Sequence, residues 1–270
     1  MILQALAKYY ERIADENVDV EPEGFKRTPI PFLITLSVDG HIVSVDDTRS
    51  GARNDKGVAR IVPKVFEGSR TSNVKANLLW DKASYVFGVG DEKKAVRLKQ
   101  QKECFVQTIH EYLPNSDDEG VRAVLSFLQH HIGEIEKLQL WDEIVSNDAI
   151  VAFRLDGQME QLICNRPAVL KAIAAHNESA TGESGLCALT GEVGPLTRLE
   201  NPIKGLRGSG KAESHLVAYN ESAYWSYRRE RGANFPIGKS ASSAYVTAIN
   251  YLQRSDSRQF VKNADATVIF

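Results

Sequence analysis

The residues with the sharpest chemical pattern are Gly205-Leu-Arg-Gly-Ser-Gly-Lys211, which fill the first seven positions of a phosphate-binding loop. Such a loop works because successive backbone N–H groups cradle phosphate oxygens while a lysine neutralises their charge. The eighth position needs Ser or Thr to hold magnesium, and here it is Ala212. The flanks differ too: Asn-Pro-Ile-Lys precedes the glycines where a buried strand belongs, and the residues after Ala212 read as strand where a helix should begin. Nucleotide hydrolysis is therefore disfavoured. Lys204, Arg207, Ser209 and Lys211 still offer cations, a hydroxyl and open backbone to phosphates without cleaving them. The plain alternative is a flexible Gly/Ser loop.

A metal-dependent nuclease would need clustered carboxylates. Asp46-Asp47 and Asp117-Asp118-Glu119 are the candidates. The first pair ends a hairpin, where neighbours point to opposite faces. The second opens a helix behind Ser116, in a capping-box pattern. His130-His131 has no HExxH-like companion and reads as a surface or core pair. The cysteines Cys104, Cys164 and Cys187 include no close pair. A zinc set of Cys164, His176, Cys187 and His215 can be drawn, but structural zinc uses tightly spaced ligand pairs. No catalytic residue, metal ligand or cofactor is expected.

Arg70-Thr71-Ser72-Asn73-Val-Lys75 suits duplex DNA better. Asn and Ser exchange hydrogen bonds with the few groups of a minor groove, and Arg or Lys holds phosphates or enters a narrow groove. An N-cap at Ser72 or Asn73 for a following helix is the compatible structural alternative. Tyr219, Tyr224, Trp225 and Tyr227 interleave with Arg228, Arg229 and Arg231, a mixture able to stack on unpaired bases. Trp225 itself is expected in the core, as most Trp residues are. Asn234 is counted with Arg228 and Arg229 as a DNA-facing donor.

The helices and strands that carry these residues are read from periodicity. Ile2, Leu6, Tyr9, Tyr10 and Ile13 draw one apolar stripe on a helix. The run 30–37, the pair Asp39-Gly40 and the run 41–47 predict a hairpin, as does 149–164 around Asp156-Gly157. Residues 49–75, punctuated by Gly51, Gly57, Pro63 and Gly68, predict a loop-rich segment. Helices are predicted over 76–87 with Gly88 as cap, over 91–112 with Pro114 as stop, and from a cap at Ser116 through Ile135. Residues 166–177 predict a helix with Pro167 in its first turn, and 241–252 a last amphipathic one. Short strands are expected at 215–220 and 266–270. Hairpins mixed with packed amphipathic helices predict an α+β fold with antiparallel sheet, one domain over 1–270 with a helical subregion at 91–146.

At 270 residues, 43% hydrophobic and 25% charged, the chain has the composition of a folded globular protein, and disorder is excluded. Its net charge of −2 hides a polarity. Residues 49–75 carry seven Lys and Arg against two acids, and 198–231 seven against four, whereas 111–148 carry nine acids against two bases. Cationic surface is thus concentrated around the two candidate segments, as nucleic acid requires, although solvated charged faces give similar runs. No span approaches membrane thickness and no signal peptide is recognisable, which predicts a cytoplasmic protein.

Ordered stretches run the length of the chain: MILQAL..YYERIA, PFLITLSVDG, RTSNV.ANLLWDKASYVFG, CALTGE, IKGLRGSGK..SHLVAYNESAYWSY and ANFPIG..ASSAYVTAINYL. In this order they resemble the N-terminal part of the large subunit of the subtype I-C CRISPR surveillance complex, Cascade. Glu200 departs from the resemblance, which would place His there. The resemblance implies a longer chain with a helical C-terminal bundle, absent from this sequence. It also implies a non-catalytic subunit that inspects the protospacer-adjacent motif (PAM) of target double-stranded DNA and helps strand separation. Its partners would be the guide RNA-bearing Cascade subunits and the helicase-nuclease. The competing readings are a nucleotide hydrolase or metal-dependent nuclease, and a pure scaffold.

Overall fold

The computed structural model describes residues 2–16, 20–53, 55–66, 70, 73–179, 184–197, 200–204, 213–217 and 221–254. In chain order the elements are α1 (Ile2–Asp15), β1 (Phe25–Ile30), β2 (Phe32–Leu36), β3 (Ile42–Asp47), β4 (Val58–Pro63) and β5 (Trp80–Lys82). They continue with α2 (Ala83–Val86), α3 (Ala95–Tyr112), α4 (Glu119–Ser126), α5 (Trp141–Ser146), β6 (Ile150–Leu155), β7 (Gln158–Leu162) and α6 (Pro167–Ser179). Last come β8 (Ser184–Leu186), β9 (Val193–Pro195), β10 (Ile203–Lys204), β11 (Glu213–Ser214) and α7 (Lys239–Leu252). The fold is α+β, as expected. The chain divides into two compact units, Phe25–Ala180 and a second formed by Met1–Gly24 with Thr181–Phe270.

In the unit Phe25–Ala180 a five-stranded sheet runs β3-β2-β6-β5, with β7 also paired to β6. All five residues of β2 and five of the six in β6 are buried, which marks both as central strands covered on two faces. Both expected hairpins form. What joins them is a parallel β2–β6 pairing, Phe32 opposite Val151 through Leu36 opposite Leu155, so the sheet is mixed. Phe127 packs edge-on to Phe87 at 6.4 Å and beside Phe153 at 5.9 Å, linking helices to sheet in one core.

Three local expectations change. The stretch 49–75 contains a strand: β4 pairs antiparallel with β1 along its whole length, and Gly57 and Pro63, which read as breakers, bracket it. The helix expected over 76–87 shrinks to α2, because Leu79 takes a left-handed φ of 62° and Trp80–Lys82 join β6 as a strand. The helix expected through Ile135 is regular only to Ser126. A π turn (Phe127–His131) and a 3₁₀ turn (Ile132–Lys137) follow. Asp118, not Ser116, caps α4, accepting the Gly120 and Val121 N–H groups at 2.9 and 3.1 Å. The break falls where the β2–β3 turn meets the helix. Ser126 Oγ donates to Asp39 O at 2.7 Å, and Gly40, at φ +93°, lies so close that a Cβ would sit 2.7 Å from Phe127 N.

In the other unit α1 packs on α7, around Cys187, Leu189, Ile203, Ile237, Tyr245 and Ile249. β8 and β9 form one hairpin and β10 and β11 another. Residues 215–217 are not strand; 218–220 and 266–270 lie outside the described residues.

Candidate functional site

At four of its described residues the segment 63–74 is stitched to the rest of the unit Phe25–Ala180. Trp80 Nε1 donates to Pro63 O at 2.9 Å, the Tyr112 hydroxyl to Val65 O at 3.2 Å, and the Cys104 thiol to Val74 O at 3.8 Å. Arg70 is the fourth point. Its Nη1 and Nη2 donate to the two carboxylate oxygens of Asp81 at 2.6 and 2.8 Å, and its guanidinium lies 4.5 Å from the ring centres of both Phe66 and Tyr85. Asp81 is 1% exposed and also accepts the backbone N–H groups of Asn77 and Lys82, each at 2.8 Å. Arg97 Nη2 donates to Arg70 O at 2.9 Å.

Arg70 is therefore committed to the fold as a positioning residue. Asn73, three residues on, is exposed, and Lys75 is half-buried with Nζ 6.0 Å from the Phe66 ring centre. Thr71 and Ser72 lie outside the described residues. Asp81, Phe66, Tyr85 and Arg97 were not singled out from sequence. A lone acid within the apolar stretch LLWDKASYVF is the signal that marks a buried ionic partner.

In the second unit, β10 and β11 pair antiparallel, Ile203 with Ser214 and Lys204 with Glu213. The glycine-rich segment is thus flanked by two hairpin strands, not by a strand and a helix. Lys204 closes β10; Arg207, Ser209 and Lys211 lie outside the described residues. Nearby in sequence, Ser226 and Arg229 form a β-bridge around Tyr227 and Arg228, whose φ angles are 52° and 60°. Asn234 holds this turn, accepting from Ser226 N and donating to Arg229 O, both at 2.8 Å. Tyr227 is 95% exposed and Tyr224 55%. Trp225, expected in the core, is also exposed, because the chain around it runs through a tight surface turn and not along a packed helix. Arg228 and Arg229 are exposed beside these rings.

The carboxylate pairs are engaged in ion pairs. Asp46 meets Arg154, whose Nε donates to Thr35 Oγ1 at 2.9 Å, and Asp47 meets Arg49. The hydrogen bonds from Arg49 hold the Asp47 carboxyl below the usual carboxylate range. Asp118 accepts from Arg166 Nε at 2.8 Å. Glu200, where the sequence departs from the resemblance, is buried, accepts Val217 N–H at 3.0 Å and the Tyr245 hydroxyl, and so fastens its loop to α7.

Among the described residues, the side chains of His41, His131 and Glu134 come within metal-ligating reach of one another. Neither His41 nor Glu134 was singled out from sequence. The Ile42 N–H and then His41 hold the Glu134 carboxyl below the usual range, so it is ionised at neutral pH.

Fold and sites together define an α+β protein that carries an anchored polar loop in one unit and an aromatic, arginine-bearing turn in the other. No helix among the described residues is long and apolar enough to cross a membrane. The model of the family described as CRISPR-associated protein (Cas_Csd1) matches residues 6–270, and the chain belongs to that family. Comparison with curated proteins gives no match.

Proposed function

We propose that this chain is a non-catalytic, DNA-binding subunit of a type I-C RNA-guided CRISPR interference complex, reading the PAM in duplex DNA. Aiding strand separation and recruiting the helicase-nuclease complete the proposed role. The observation that carries this is Asn73, exposed on a strap that Asp81, Arg97, Tyr112 and Trp80 hold in place. A side-chain amide both donates and accepts at base edges, and anchoring on either side of it lowers the entropy cost of binding. Guide pairing reads the long sequence, so a few such contacts suffice for the protein. Thr71, Ser72 and Lys75 flank Asn73 as further contacts, with Arg70 as anchor. Tyr224, Trp225 and Tyr227 with Arg228 and Arg229 suit bases unpaired by strand separation, and Lys204, Arg207, Ser209 and Lys211 suit phosphates.

The test is a mobility-shift titration of the chain, alone and with its partner complex, on duplexes with and without a PAM at two salt concentrations. The PAM duplex should bind tighter, and Asn73→Ala should remove about tenfold or more of that preference, the worth of one base contact. Lys211→Ala should weaken all duplexes alike and flatten the salt slope by about one contact. Unchanged discrimination and affinity in Asn73→Ala would refute PAM reading by this loop. An absence of DNA binding would favour a scaffold. Nucleotide hydrolysis abolished by Lys211→Ala would favour an enzyme.

A further inference from the structure

We propose that His41, His131 and Glu134 form a binding site for a divalent transition-metal ion of the zinc type, clamping the β2–β3 turn to the helical segment beyond α4. The three side chains converge on one point. His41 Nδ1 lies 2.7 Å and His131 Nδ1 3.2 Å from the same carboxylate oxygen, Glu134 Oε1. Zinc holds imidazole nitrogen and carboxylate oxygen at about 2.0–2.2 Å, which places two ligand atoms of a tetrahedral ion roughly 3.3 Å apart. The ligand atoms therefore already stand near the separations an ion needs. Two imidazoles and a carboxylate form a donor set suited to zinc, nickel or copper and poorly suited to magnesium or calcium.

The surroundings favour an ion over a simple hydrogen-bonded cluster. The other carboxylate oxygen, Oε2, accepts Ile42 N–H at 3.1 Å, an outer contact of the kind that orients a metal ligand and aims Oε1 at both rings. The ring centres of His41 and His131 are 3.8 Å apart with planes tilted by 47°, so both Nδ1 atoms crowd one oxygen. A cation between the three would satisfy all of them at once. Three protein ligands leave a fourth position for water, which can enter because the His41 side chain is 55% exposed. His131 ends a π turn, a backbone irregularity that recurs at functional sites, and that turn is what brings its ring opposite His41.

Binding would displace any proton carried on the two Nδ1 atoms to solvent. It would also join two elements far apart in sequence, since His41 and Glu134 are separated by 93 positions. An ion bound only by the folded form raises stability by mass action. This site stands apart from the proposed DNA-reading loop, and either can fail alone.

The test is to strip the full chain with a chelator and titrate it with zinc by calorimetry, following the unfolding temperature in parallel. The expected result is one ion per chain and a rise in unfolding temperature. His131→Ala and Glu134→Gln should each weaken the affinity by at least ~100-fold, since even outer-shell changes cost 10–100-fold. His41→Ala, at an exposed turn, keeps the test decisive if His131→Ala folds poorly. Cobalt in place of zinc reports the ligands, because thiolate from Cys104, Cys164 or Cys187 gives a charge-transfer band that nitrogen and oxygen do not. No zinc binding at micromolar concentration, binding undiminished in all three variants, or a thiolate band would each overturn the site.

Discussion

Arg70→Ala and Asp81→Asn test whether the candidate loop is held as the geometry implies. The pair joins a side chain 22% exposed to one 1% exposed through two charge-assisted bonds of 2.6 and 2.8 Å. Removing one partner of a buried ion pair costs about 3–5 kcal/mol, because the other charge is left without compensation. Asp81 would keep the Asn77 and Lys82 N–H groups, which favours the lower end. The rings of Phe66 and Tyr85, both 4.5 Å from the cation, add about 0.5–1 kcal/mol each. Arg70→Ala should thus cost about 4–5 kcal/mol, lowering the unfolding temperature by roughly 8–20 °C for a protein of this size. The Arg70→Ala/Asp81→Asn double variant should lose less than the sum of the singles, by about 2 kcal/mol. The assay is thermal and urea unfolding of all four proteins, alongside the mobility shift. Asp81 is buried, yet Asp81→Asn should reduce PAM preference as Asn73→Ala does, because it frees the strap. Single costs under about 1 kcal/mol with additive behaviour would refute the anchoring. Full PAM preference in a destabilised Asp81→Asn protein would show that anchoring is not what presents Asn73.

Gly40→Ala would put a Cβ 2.7 Å from Phe127 N and 2.8 Å from Ala123 O at φ +93°, so a loss of at least ~3 kcal/mol is expected in urea unfolding; a wild-type midpoint would mean the turn does not dock there. Glu200→Ala removes the shared acceptor of Val217 N–H and of the Tyr245 hydroxyl, on a side chain 0% exposed, leaving that hydroxyl only Ser242, and should cost about 1–3 kcal/mol, whereas a cost under ~0.5 kcal/mol would make the contact incidental. Asp55 is held at a pKa of about 2 by the Ser50 hydroxyl, the Ser50 N–H and the Gly57 N–H. This lowered pKa contributes order to the 50–57 loop fully above the ordinary carboxylate value of about 3.9, and the contribution disappears as pH falls through about 2. The Gly57 amide resonance should titrate with that low midpoint, and a midpoint near 3.9 would show that Ser50 is not engaged.

Helices α1, α3, α6 and α7 and both long hairpins were legible because they rest on local rules. Apolar residues repeat at helical spacing, Pro167 opens a helix, and Asp39-Gly40 and Asp156-Gly157 supply the backbone angles of tight turns. The polar character of the Arg70–Lys75 segment was legible in its composition.

What sequence alone could not specify depends on partners distant along the chain. Nothing local marks β4 as the mate of β1, or says that two antiparallel hairpins join through a parallel β2–β6 pair. Nor does local pattern place the first 24 residues in one unit with the chain beyond Thr181. The same holds for the sites: composition showed a basic strap, but only packing decided that Arg70 belongs to buried Asp81 while Asn73 faces solvent. His130-His131 looked inert because the partners of His131 come from a hairpin turn some ninety positions earlier and from Glu134, beyond a π turn that helical periodicity does not foresee. Local sequence sets backbone preferences and apolar faces. Which faces, charges and ligands meet is settled when the gain from burying and pairing them exceeds the entropy of closing the chain between them.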